Sequence, residues 1–225
     1  MTRLVFDIET IGVDFESLDE QAQDYLLKAA RSEEEKALVP ELLSFSPLTG
    51  QIVAIAVLNP ESGKGGVYYQ APGQAPIEQD ENGIVYASGS EAEILERFWK
   101  TIAFYDQFVT FNGRSFDCPY LMVRSAIHKI KPTKNLVPYR YGDEHIDLYD
   151  RLGFFGAVRR TMNLHMWCQA FGIKSSKANE NGINGHEVPK FFKEGRYSEI
   201  AHYCFEDIRA TAELFDYWQK YINIK

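Results

Sequence analysis

The apolar positions of this 225-residue chain form alternating runs and helical stripes, and their order predicts an α/β fold. Leu4, Phe6 and Ile8 alternate with Val5, Asp7 and Glu9, so a strand opens the chain with both carboxylates on one face. Residues 51–58 (QIVAIAVL) read as a buried strand, the 59–63 segment as a turn and 66–70 as a returning strand. Residues 71–83, rich in Pro, Gly and Gln, read as a surface loop, followed by short strands at 84–87, 108–111 and 145–148.

Helical spacing of Leu18, Ala22, Tyr25, Leu26 and Ala29 predicts one helix over 19–38, with Pro40 and Pro47 bracketing an exit loop. Ser90 and Glu93 form a capping box ahead of a helix whose apolar face carries Ile94, Leu95, Phe98, Trp99 and Ile102. Ser115 or Asp117 is expected to cap a helix containing Pro119, and further helices are expected near 149–155, 162–171, 189–194 and 198–221. No repeat or linker divides the pattern, so a single domain over 1–225 is expected, with a helical insertion at about 12–48.

Composition narrows the classes. No run of about 18 apolar residues predicts a membrane-spanning helix, and the first residues lack a signal-peptide pattern. Cys118, Cys168 and Cys204 are odd in number and far apart, which predicts buried thiols in a reducing cytoplasm rather than disulfides or a zinc site. A net charge of −8 argues against broad binding to a duplex surface. Arg124, His128, Lys129, Lys131, Lys134 and Arg140 make one locally basic segment, read as solvated charge or as a phosphate-facing patch.

The carboxylates carry the chemistry. Asp7 and Glu9 side by side on a buried strand repel unless a cation sits between them; the bland reading is a solvated edge strand. Asp14-Phe15-Glu16 has the same spacing without an apolar strand. Asp117 follows a strand at the first turn of a helix, at the sheet edge where α/β proteins place their sites, though capping alone would explain it. In the last helix Ile200, Cys204, Ile208 and Phe215 mark an apolar stripe, widened by Tyr203, Ala210 and Leu214. Asp207 falls inside it, one turn after Tyr203, and needs a cation, a strong donor or a core arginine.

At these residues the chain resembles the DEDD-type (DnaQ-like) 3′–5′ exonucleases. Asp7-Ile8-Glu9-Thr10 is similar to their first motif. Residues 111–121 (FNGRSFDCPYL) are similar to the second motif, in the form found in proofreading domains of family-B polymerases, and 203–207 (YCFED) to the third. The resemblance implies a ribonuclease-H-like fold, a mixed five-stranded sheet flanked by helices. It implies that Asp7, Glu9, Asp117 and Asp207 converge to hold two Mg²⁺ or Mn²⁺ ions, with Asp7 bridging both. The attacking water would be oriented by Tyr203, four residues before Asp207; His202, five before it, is the alternative, but in an unbroken helix it points away. Thr10, Asn112 and Phe116 would cradle the terminal nucleotide, Lys177 would reach a phosphate, and Asp147 is read as structural.

The expected activity is hydrolysis of phosphodiester bonds at 3′ ends of single-stranded DNA, releasing nucleoside 5′-monophosphates, in a cytoplasmic DNA-repair setting. DNA is favoured over RNA as partner. An exoribonuclease, a small-ester phosphoesterase and a catalytically silent nucleic-acid-binding module are the alternatives.

Overall fold

A computed structural model describes residues 2–175 and 183–224. Its centre is a seven-stranded mixed sheet in the order β4-β5-β3-β2-β1-β6-β7. The strands are β1 (Arg3–Gly12), β2 (Gly50–Leu58), β3 (Gly65–Gln70), β4 (Glu78–Glu81), β5 (Ile84–Gly89), β6 (Gln107–Thr110) and β7 (His145–Asp147). The helices are α1 (Glu20–Lys28), α2 (Glu33–Leu42), α3 (Glu91–Ile102), α4 (Asp117–Ile127), α5 (Leu148–Leu152), α6 (Leu164–Phe171), α7 (Val188–Lys193) and α8 (Tyr197–Tyr221).

β1 lies inside the sheet, antiparallel to β2 and parallel to β6, and its two faces feed two cores. Leu4, Phe6 and Ile8 pack with Ile94, Phe98 and Leu121 of α3 and α4. On the other face Val5 packs with Cys204, Ile208 and Phe215 of α8. Alternation along one strand therefore sends Asp7 and Glu9 to the α8 side, under the only long helix of that layer among the described residues.

The mixed α/β architecture is as expected, but the sheet has seven strands rather than five. The 71–83 stretch, expected as a loop, contains β4, paired antiparallel with β5. Its sequence EQDE has no apolar alternation, and it forms because Asn82 and Gly83 adopt φ of 56° and 89°, the twist a tight hairpin requires. The single helix expected over 19–38 is two. Ser32 accepts a hydrogen bond from the Glu35 amide and restarts the chain as α2, whose first turn carries Glu33, Glu34 and Glu35. Pro40 lies within α2 rather than in an exit loop.

Half of the basic segment is committed to carboxylates. Arg124 makes a paired contact to buried Glu91 at 2.8 and 2.6 Å, His128 reaches the same carboxylate at 2.8 Å, and Arg140 pairs with Asp150. These three do not form a free phosphate-facing patch. The three cysteines are buried free thiols. No helix among the described residues is long and apolar enough to cross a membrane.

Candidate active site

Beyond the end of β6, β1 continues with no parallel neighbour, and the Asp117 carboxylate takes that place by accepting the Ile8 amide at 3.0 Å. This bond fixes the first residue of α4 against β1. Neither Ser115 nor Asp117 caps the helix: Phe116 is the N-cap residue and its side chain makes no capping bond. Asp117 is thus turned toward the strand carrying Asp7 and Glu9.

Asp7 and Asp117 are hydrogen-bonded to each other. Removal from water holds the Asp7 carboxyl well above the usual carboxylate range, and the charges of Asp117, Glu9 and Asp207 push it further. Asp117 is pushed up to about 7, again mainly by burial. Asp7, Glu9 and Cys204 offer ligand atoms within 4.8 Å of one another. The Cys204 thiol lies 3.7 Å from the Asp7 carbonyl oxygen, and burial keeps it protonated.

Tyr203 is buried, its hydroxyl donates to Asp207, and the charges of Glu9, Asp207 and Asp7 act on it. Burial and those charges hold the phenol far above its ordinary pKa. His202 faces the opposite way. Its ring stacks on Tyr86 at 4.6 Å, Nδ1 bonds the Ser198 carbonyl at 2.7 Å and Nε2 contacts Glu81 at 3.2 Å.

The Asn112 backbone is left-handed (φ 64°), and the turn is braced by Asp147. One oxygen of Asp147 accepts the Asn112 and Tyr149 amides (2.8 and 3.0 Å), and the other accepts the Arg114 amide at 2.9 Å. This buried carboxylate is fully occupied as a scaffold. Phe116 is half-buried beside Tyr120. Thr10 is buried and donates to the Ser44 carbonyl at 2.9 Å. Lys177 lies outside the described residues. Asp14 and Glu16 are exposed on a short turn and belong to no such ligand group among the described residues.

A pocket of about 370 Å³ opens beside Tyr203 and Asp207, lined also by Asn112, Tyr149, Thr161 and His165. Sequence reasoning missed Tyr149, Thr161 and His165. Tyr149 had one usable signal, its position two residues past the end of β7 on the edge that carries the site.

Residues 50–221 match the family described as "Predicted 3'-5' exonuclease related to the exonuclease domain of PolB". The chain belongs to this family. The matched span contains Asp117, Tyr203 and Asp207 and begins after Asp7 and Glu9. Among curated proteins the chain is similar to DNA polymerase 1 of Pyrococcus abyssi, at 32% identity over 138 residues, 56% of this chain and 18% of that protein. It is 29% identical to a DNA polymerase of Thermococcus litoralis over 139 residues, 56% of this chain and 8% of that protein. The chain therefore spans a small part of these relatives.

The family B DNA polymerase from Pyrobaculum calidifontis superposes with a TM-score of 0.61 at 20% identity, covering 97% of this chain and 24% of that one. The fold is that of a PolB-type exonuclease domain, the ribonuclease-H-like arrangement.

The donor set suits hard divalent cations. The Asp7 and Glu9 carboxylates are hard oxygen donors, Asp117 is hydrogen-bonded to Asp7, the charges of Asp117, Glu9 and Asp207 raise the Asp7 pKa, and the one soft atom grouped with them is a protonated thiol.

Proposed function

We propose that this PolB-related exonuclease is a two-metal-ion enzyme that removes nucleotides from the 3′ end of single-stranded DNA as 5′-monophosphates. The observation that carries the reading is the meeting of Asp7 and Asp117 in one hydrogen-bonded pair, under the charges of Glu9 and Asp207, with Tyr203 bonded to Asp207. Asp7, Glu9, Asp117 and Asp207 would hold the ions. When bound, a pair of Mg²⁺ or Mn²⁺ ions would supply a nucleophilic water at neutral pH and neutralise charge on the departing 3′-oxygen.

The protein's own groups do the rest. Tyr203 stays protonated, so it acts by hydrogen bonding and orients the attacking water instead of taking its proton. Asp147 holds the 112–114 backbone turn that leads into Asp117. Asn112, Phe116 and Thr10, the last of which donates to the Ser44 carbonyl, would cradle the terminal nucleotide, and Lys177 would reach a phosphate.

The test is degradation of matched DNA and RNA strands labelled at the 5′ end, in Mg²⁺ and in Mn²⁺. The DNA is expected to shorten stepwise from its 3′ end and the RNA much more slowly. RNA shortening at the same rate or faster would replace this reading with an exoribonuclease.

A further inference from the structure

The insertion between β1 and β2 folds into α1 and α2, and the two helices leave apolar surface uncovered. α1 has nine residues and buries none of them, and α2 buries only Val39. A helix that short is marginal in water unless its apolar face is packed. That face borders a groove of about 740 Å³, walled by Tyr25, Leu26, Leu38, Leu42 and Leu48. All of these walls but Leu26 are 48–77% exposed. Contiguous apolar surface of this kind marks a place where another molecule packs. The groove stands on a fixed base. Leu43 lines it and is buried, and the next residue, Ser44, accepts at its carbonyl from the Thr10 hydroxyl (2.9 Å) and the Tyr120 hydroxyl (3.1 Å).

Charge selects the occupant. Residues 12–48 hold nine Asp and Glu against three Lys and Arg, a net −6 of the chain's −8. The charged walls of the groove are Asp19 and Glu35, and no Lys or Arg among the described residues lines it. Lys28 and Lys36 are turned to Asp24 and Glu33 of their own helices. An acidic rim repels DNA phosphates and anionic lipid headgroups. It repels a second copy as well, because a two-fold pair would lay the same acidic patch on itself. A groove walled by spaced apolar side chains accepts the apolar face of a further helix. We propose that the insertion is a docking site for a basic amphipathic helix of a partner protein. Its apolar face fills the groove, and Lys or Arg along its flanks meets the acidic rim. This role is independent of the exonuclease reading and is read without turnover.

The test is fluorescence anisotropy of the full chain with three labelled peptides, each about 18 residues long. One carries a Leu stripe at helical spacing flanked by Lys, one has the same residues scrambled so that no face forms, and one has Glu in place of Lys. The striped Lys peptide is expected to bind at least about tenfold tighter than either control. Its affinity falls as NaCl is raised. The double variant Tyr25→Ser/Leu48→Ser is expected to weaken it about tenfold, with an unchanged urea midpoint. The chain alone sediments as a monomer.

Equal binding of the scrambled peptide, a preference for the Glu peptide, no binding of the striped Lys peptide, or full affinity in the double variant overturns the inference. So does a dimer of the chain that the double variant dissolves. If the double variant does not fold, Tyr25→Ser alone decides: about threefold weaker binding is expected, and wild-type affinity overturns the inference. Failure of the chain to shorten DNA would leave it standing.

Discussion

At the scale of single residues, the site is a set of acids held close enough to disturb one another. Asp7 and Asp117 keep their protons above the usual carboxylate range. The metal-free fold is therefore favoured where they are protonated and loses stability as pH rises through about 7. Bound cations compensate and displace those protons. The increase in Tm produced by saturating Mg²⁺ or Mn²⁺ is expected to be larger at pH 8 than at pH 6, measured by calorimetry. Equal shifts at both values would contradict the shared site.

Tyr203 and His202 separate cleanly. Tyr203→Phe removes the hydroxyl bonded to Asp207 and is expected to lower kcat about a hundredfold. His202→Ala removes only the Tyr86, Glu81 and Ser198 contacts and should leave kcat within about twofold. Single-turnover cleavage by the two variants decides, and the reverse outcome would transfer the role to His202. The four carboxylates were legible because each sat in a setting that made its charge anomalous: a buried strand, a strand end, an apolar helical stripe. Thr161 and His165 carried no such signal. Only the fold brings them to the pocket.

At the scale of elements, what was legible depended on apolar periodicity. β1, β2, α3 and α8 have strong patterns and lie close to where those patterns put them. β4 does not, because its residues are polar on both faces. Its only mark was Asn82-Gly83, a hairpin turn read as part of a loop. The break between α1 and α2 was also written in local chemistry, as Ser32 and Glu35, but the apolar spacing ran across it.

Asp147 shows how a non-catalytic carboxylate serves the site. It links the end of β7, the start of α5 and the turn before α4 through three backbone amides. Asp147→Ala strands those half-buried donors and should cost about 3 kcal/mol of unfolding free energy, read from urea titration. A loss below about 1 kcal/mol would show that water replaces the carboxylate without cost.

At the scale of the whole molecule, two opposed pH dependences frame the working range. His145, the first residue of β7, is buried, with Nδ1 toward the Leu136 carbonyl and Nε2 toward the Thr110 hydroxyl. The carbonyl can only accept, so Nδ1 carries the proton and Nε2 accepts from Thr110. Burial lowers its pKa from 6.5 to about 4. The neutral ring costs nothing above 6.5, and stability falls as pH drops from 6.5 toward 4, by up to about 3 kcal/mol. In His145→Gln this acid-side slope is expected to flatten in denaturant titrations between pH 7 and 4.5; an unchanged slope would assign it elsewhere.

The fold class could be read from the sequence because alternation and order specify layers. The strand count could not, since β4, an edge strand of polar residues, adds to the sheet without adding to the core.

The claim on which the rest depends is that acids from β1, α4 and α8 form one cation-dependent hydrolytic centre. The most direct measurement is shortening of a 5′-labelled DNA strand with Mn²⁺ and with chelator, for wild type and Asp7→Ala. Stepwise 3′ shortening that requires Mn²⁺ and is absent in Asp7→Ala is the predicted result. Shortening that survives the chelator, or that Asp7→Ala retains, would contradict it.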